Sequence, residues 1–133
     1  MRRCPDAPSP RCADDGTVRY LVILNDAPYG SERSYNGFRL AGSVSKRDGV
    51  EVRVFLMGDA VGGAVAGQQT PDGYYNVERM IKGLARKGVP VACCGTCLKA
   101  RGITDDRLTP GAHHSSLEEL TDWTLWAGKV ITF

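Results

Sequence analysis

The sequence predicts an α/β domain built on a mainly parallel sheet of about five strands, with helices on both faces. Three observations carry this. Val18 to Leu24, Val50 to Met57 and Val89 to Cys93 are short, nearly continuous aliphatic runs, the pattern of strands buried on both faces. Segments with apolar residues at helical spacing separate them. The same punctuation then recurs: a helix end, a glycine at 49, 88, 102 or 128, and an aliphatic residue at Val50, Val89, Ile103 or, after Lys129, Val130. A left-handed helix cap followed by a return to the core requires that order. Strands alternating with helices form right-handed βαβ units, whose sites lie at the carboxyl ends of the strands.

At 133 residues the chain is the size of one domain. Residues 1–16, with Pro5, Pro8 and Pro10 among polar residues, read as a loose arm, and residues 17–133 as the domain. Cys4 and Cys12 in the arm read as incidental thiols. A net charge of +2 without a basic run excludes a strongly basic face, so direct nucleic-acid binding is not expected. No apolar run reaches the ~18–20 residues of a membrane span, and the N-terminus lacks the apolar core of a signal peptide. The expectation is a cytoplasmic protein without a membrane partner. In a reducing compartment, cysteines are catalytic, metal-binding or simply buried, rather than structural disulfides.

Along the chain, the first strand ends in Asn25-Asp26-Ala27-Pro28. Ser31 as a cap and Glu32 in a first turn open a helix carrying Tyr35, Phe38, Ala41 and Val44, which Arg47 and Gly49 close. After the second strand, Asp59 is read as the cap of a short helix over 60–66. A mobile loop then runs through Gln68, Gln69, Pro71 and Gly73, as a lid or an interface. The glycines there match neither G-x-G-x-x-G nor Gly-Lys-Ser/Thr, so no nucleotide or other cofactor is called for. Val77, Met80, Ile81 and Leu84 mark the next helix. A short helix over 97–101 stops at Gly102, and a loop holds His113 and His114. Ser115 or Ser116 with Glu118 or Glu119 offers a capping box for a last helix, in which Trp123 and Trp126 are core or interface residues. Residues 129–133 form the final strand.

The chemistry concentrates in Val91 to Gly102, where Cys93, Cys94 and Cys97 fall at a strand-to-helix junction. Unpaired backbone N–H groups at a helix start favour a thiolate, and Lys99 and Arg101 add to the field. Gly95 and Thr96 are small and leave room for a substrate to approach Cys94 and Cys97. Adjacent residues of a strand face apart, so Cys93 points away from Cys94. Asp26 and Tyr29, after the first strand, are candidates to line the same cleft, and His113 and His114 are candidates to handle protons beside Cys94.

The sequence resembles the DsrE/DsrF-like family of sulfur-relay proteins, which includes the TusD-type subunits. The resemblance runs from about Val18 to Phe133. It rests on the first strand and its Ser-Glu-Arg helix opening, on Val52 to Val61, on the closing Trp123 to Phe133 segment and, most specifically, on Cys94 to Gly102. It implies a flavodoxin-like three-layer α/β/α subunit that assembles into homo-oligomers, trimers or hexamers. It also implies a cysteine, here Cys94, that carries sulfur as a persulfide between donor and acceptor proteins. Cys97 then receives the sulfur or releases it by forming a disulfide. Three alternatives stand beside this reading: a thiol-disulfide redox protein using Cys94 and Cys97, a metal site drawing on Cys93, Cys94, Cys97, His113 and His114, and a non-catalytic oligomeric scaffold.

Overall fold

The computed structural model describes residues 15–71 and 75–133. The arm with Cys4 and Cys12, as far as residue 14, lies outside the described residues, as does Gly73. Five strands, β1 (Val18–Leu24), β2 (Val50–Leu56), β3 (Val91–Cys94), β4 (Ala112–Ser115) and β5 (Lys129–Thr132), form one sheet. Four α-helices connect them: α1 (Arg33–Ser45), α2 (Val77–Arg86), α3 (Gly95–Ala100) and α4 (Leu117–Trp126). The sheet order is β4-β3-β2-β1-β5, and every pairing is parallel.

This order distributes the helices unevenly. From β1 to β4 each crossover steps one place in the same direction, so right-handedness puts α1, α2 and α3 on one face; the return from β4 to β5 puts α4 on the other. Strand side chains alternate accordingly. Val22, Leu24, Val54, Leu56, Val91 and Cys93 pack with Phe38 and Ala41 of α1, Ile81 and Leu84 of α2 and Leu98 of α3. Leu21, Phe55 and Ala92 pack with Leu120 and Trp123 of α4. Trp123 is core, as expected, and meets Phe55 edge-to-face at 6.1 Å. Trp126 lies under the guanidinium of Arg53, 3.9 Å from its ring centre.

Several local expectations are corrected. His113 and His114 lie on a strand, not in a loop: they belong to β4 and register against Ala92 and Cys93 of β3. The return to the sheet after Gly102 therefore comes at Ala112, and Ile103 packs at the margin of the core. Glycines 49, 88 and 102 have positive φ as the punctuation required, but Gly128 does not, because Ala127 leaves α4 in extended conformation. Helix α3 starts at Gly95, two residues early.

Asp59 does not cap the helix after β2. That helix is a 3-10 segment (Gly58–Ala64) without a side-chain cap, and the Asp59 carboxylate goes to Arg101 instead. Ser31 accepts the Arg33 N–H at 3.3 Å, one position before the N-cap Glu32. The segment read as mobile is fastened at Gln68. Its side-chain amide donates to the Gly63 and Val65 carbonyls at 2.7 and 2.8 Å, and its backbone N–H donates to the buried Glu78 at 2.9 Å. At α4 the Ser116 hydroxyl accepts the Glu119 N–H, the expected N-cap.

Gly37 on α1 marks where helix, β1 and the chain end converge: an added Cβ would run into the Leu24 side chain and come within 3.1 Å of the Phe133 ring. Gly37→Ala is therefore expected to destabilise the fold by about 1–3 kcal/mol, the usual cost of overpacking. Gly83, inside α2 with nothing within 4 Å of an added Cβ, is expected to respond oppositely. Gly83→Ala should gain up to about 1 kcal/mol of helix propensity. Urea unfolding midpoints at unchanged slope measure both.

Candidate active site at the β3–α3 junction

Strand β3 passes into α3 with no residue between, so Cys94 is both the last strand residue and the N-cap of the helix. Its Sγ lies 3.2 Å from the Thr96 hydroxyl and makes no N-cap hydrogen bond to the helix backbone. Burial pushes the Cys94 thiol up, but the polar groups of Cys97 and Thr96 around it outweigh this and hold it below the ordinary thiol range. Cys97 shifts oppositely: burial and the proton it gives to Cys94 raise it, against the Gly58 N–H at 3.2 Å and the charge of Arg101. Cys93 faces the three-helix core at 0 % exposure, and burial pushes it up to about 12. Three neighbouring thiols thus differ: Cys94 is shifted towards the thiolate, Cys97 away from it, and Cys93 is an inert core thiol.

The wall beside the pair comes from β2, the strand next to β3. Gly58 has φ +53, a conformation natural to glycine, and this turns the exit of β2 so that its N–H meets Cys97. Next to it, Asp59 accepts from Arg101 Nε at 3.1 Å and Nη2 at 2.7 Å, while Arg101 Nη1 donates to the Cys97 carbonyl at 3.0 Å. On the other side, Gly95 lies against β4: an added Cβ would collide with the His114 ring and come 2.7 Å from the Ser115 carbonyl. The glycine that opens α3 is required by this approach.

The other expected site residues divide. Thr96 is in the site, within reach of Cys94. Asp26 and Tyr29 follow β1, which β2 separates from β3, placing those strand axes about 10 Å apart at the usual spacing. Their bonds go elsewhere. Asp26 takes the Ser31 hydroxyl and pairs with Arg33, while Tyr29 bonds Gln68 and accepts the Val77 N–H. His114 is beside Gly95, with Nδ1 on Asp105 at 2.8 Å. His113 bonds Glu119 and stands edge-on to Trp123. Among the described residues, no three His, Cys, Asp or Glu side chains gather as a metal ion would need.

Sequence reasoning missed four contributors. Gly58 and Asp59 are brought in by the β2–β3 adjacency. Ser115 registers against Cys94 and donates to Glu119 at 2.7 Å. Glu119 holds both Ser115 and His113; burial raises its carboxyl, and those hydrogen bonds bring it below the usual range. The capping pattern places Ser115 and Glu119 at a helix start, but only the strand at 112–115 sets Ser115 opposite Cys94, with Glu119 bonded to it.

The chain matches the DsrE/DsrF-like family over residues 18–133. It is 40% identical over 116 residues to protein YchN of Escherichia coli, covering 86% of this chain and 98% of that protein. The crystal structure of E. coli YchN has a TM-score of 0.81 to this fold, over 86% of this chain and 98% of that one. Uncharacterized protein MJ0989 of Methanocaldococcus jannaschii is 33% identical over 116 residues, covering 87% of this chain and 100% of that protein. MTH1491 from Methanobacterium thermoautotrophicum, a protein of unknown function, shares the fold at 16% identity and TM-score 0.67, over 86% of this chain and 98% of that one.

The Cys97 thiol beside Cys94 has a consequence for pH. Removing a donor to a thiolate raises its pKa, so in Cys97→Ala the pH midpoint of Cys94 alkylation should move up, towards the ordinary thiol value. Cys97→Ser keeps an O–H donor and should retain most of the depression. Peptide-resolved rates of iodoacetamide labelling across pH measure both.

Proposed function

The chain belongs to the DsrE/DsrF-like family, and from that premise we propose that it is a sulfur carrier, holding sulfur as a persulfide on Cys94. The observation that supports this reading is the partly exposed Cys94 thiol at the β3–α3 junction, 3.2 Å from the Thr96 hydroxyl and held below the ordinary thiol range by the Cys97 and Thr96 groups around it. Sulfur transfer needs such a nucleophile. The Cys94 thiolate attacks the outer sulfur of a donor persulfide. A Cys94 S–S bond forms, the donor S–S bond breaks, and the donor leaves as a thiolate. An acceptor thiolate takes the outer sulfur by the same displacement and returns Cys94 to its starting form.

The same pair also suits thiol-disulfide exchange, because its N-terminal thiol is the acidic one and the second lies one turn later. Insulin reduction with no retained sulfur would favour that reading. The reading extends to a homo-oligomer, trimer or hexamer, acting in the cytoplasm with donor and acceptor proteins. Assembly is supported by the α4 side, where Leu117 and Leu125 are 74% and 81% exposed and Val130 at the sheet edge is 41% exposed.

Two measurements check this. After exposure to a persulfide donor, mass spectrometry should find one added sulfur atom on Cys94; Cys94→Ser should abolish it and Cys97→Ser should still load. Loading on Cys97 in Cys94→Ser, or no loading of the unaltered protein, would overturn the assignment. Light scattering at micromolar concentration should give a trimer or hexamer, with Leu125→Glu shifting it towards smaller species. A monomeric mass would remove the assembly from the account.

A further inference from the structure

Arg101 is the side chain whose arrangement the carrier reading leaves unused. Its three hydrogen bonds span two elements: two to Asp59, at the exit of β2, and one to the Cys97 carbonyl on the first turn of α3. A guanidinium held this way keeps a fixed charge at one place. The β2 exit also supplies the Gly58 N–H to Cys97 Sγ. Cys97 is thus held from outside its own helix, its Sγ by the Gly58 N–H and its backbone carbonyl by Arg101, whereas Cys94 Sγ meets the Thr96 hydroxyl.

We propose that Arg101, clamped by Asp59, is the positioning residue that arms Cys97 as the resolving nucleophile of the pair, so that sulfur loaded on Cys94 is released from within the motif as hydrosulfide. This rests on the carrier reading of Cys94. In the loaded state the negative charge sits on the outer sulfur, one bond further from Cys97, and the opposition of Cys94 to Cys97 ionisation weakens. Cys97 Sγ attacks Cys94 Sγ, a Cys94–Cys97 disulfide forms, and the bond to the outer sulfur breaks. The Cys97 proton goes to the departing sulfur. Perthiolate plus thiol thus becomes disulfide plus hydrosulfide, the outer sulfur being reduced as the two cysteines are oxidised. A dithiol reductant then opens the disulfide for another round. The charged groups around Cys97 are Cys94, which opposes its ionisation, Arg101, which favours it, and Asp59, which fixes Arg101 in place.

The test is single-turnover release from protein loaded with sulfur and freed of donor, without acceptor or reductant. The unaltered protein should release one hydrosulfide per loaded chain and lose two titratable thiols. Arg101→Gln should still load sulfur on Cys94 but release it more slowly. The drop is roughly threefold for each unit by which the Cys97 pKa rises, since loss of thiolate is half offset by its greater nucleophilicity. Its rate–pH profile should move to higher pH, Asp59→Asn should shift it the same way by less, and Arg101→Lys should restore part of the rate. Release by Arg101→Gln at the unaltered rate with an unmoved pH profile, or equal release by Cys97→Ser, would overturn the proposal while leaving Cys94 as carrier. Failure of the unaltered protein to load would instead refute the carrier reading.

Discussion

The structure depends on a junction without a loop. Because β3 ends at Cys94 and α3 begins at Gly95, the last strand residue is also the N-cap of the helix, and its Sγ lies 3.2 Å from the Thr96 hydroxyl on the first turn. A spacer residue would carry Sγ away from that turn. The same constraint makes residue 95 a glycine, since β4 passes too close for a Cβ, and it sets Ser115 opposite Cys94. The N-cap position and the edge of the sheet are thus consequences of one abrupt turn.

Around this turn the sheet divides the work. The face with three helices buries Cys93 among Val91, Leu56 and Leu98 and makes it a packing residue. Among the described residues the opposite face carries only α4, and there Ser115, His113 and Glu119 form a polar set against Trp123. The exit of β2 supplies the third side, with the Gly58 N–H and the Asp59–Arg101 pair at Cys97. Arg101 is only about two-thirds buried in this pair and Asp59 is 70% exposed, so the pair contributes little to stability. Its worth lies in where it holds a charge.

Much of this was legible in the sequence because its causes are local. The strand runs at 18–24 and 50–56 pair in the parallel register their apolar continuity implied, and Ser116 caps α4 through Glu119. Cys94 and Cys97 stood out because a strand, a glycine and a short helix are readable from a few residues. What escaped depends on contacts between distant segments. Residues 112–115, Ala-His-His-Ser, carry neither an apolar run nor an apolar alternation, and they become a strand because β3 offers a free edge. Asp59 reads as a helix cap in isolation and meets Arg101 only through the β2–β3 adjacency. Tyr29 and Asp26 follow a strand end that in the sequence reads as a neighbour of the thiols, but β2 lies between.

The central claim is that the two thiols of the pair are shifted in opposite directions, Cys94 towards the thiolate and Cys97 away from it. NMR titration of the cysteine β-carbon shifts in the sulfur-free protein tests it most directly. The account predicts that Cys94 titrates below the ordinary thiol range, Cys97 above it, and Cys93 at about 12. Titration of Cys97 before Cys94, or of both at an unperturbed thiol value, would contradict it.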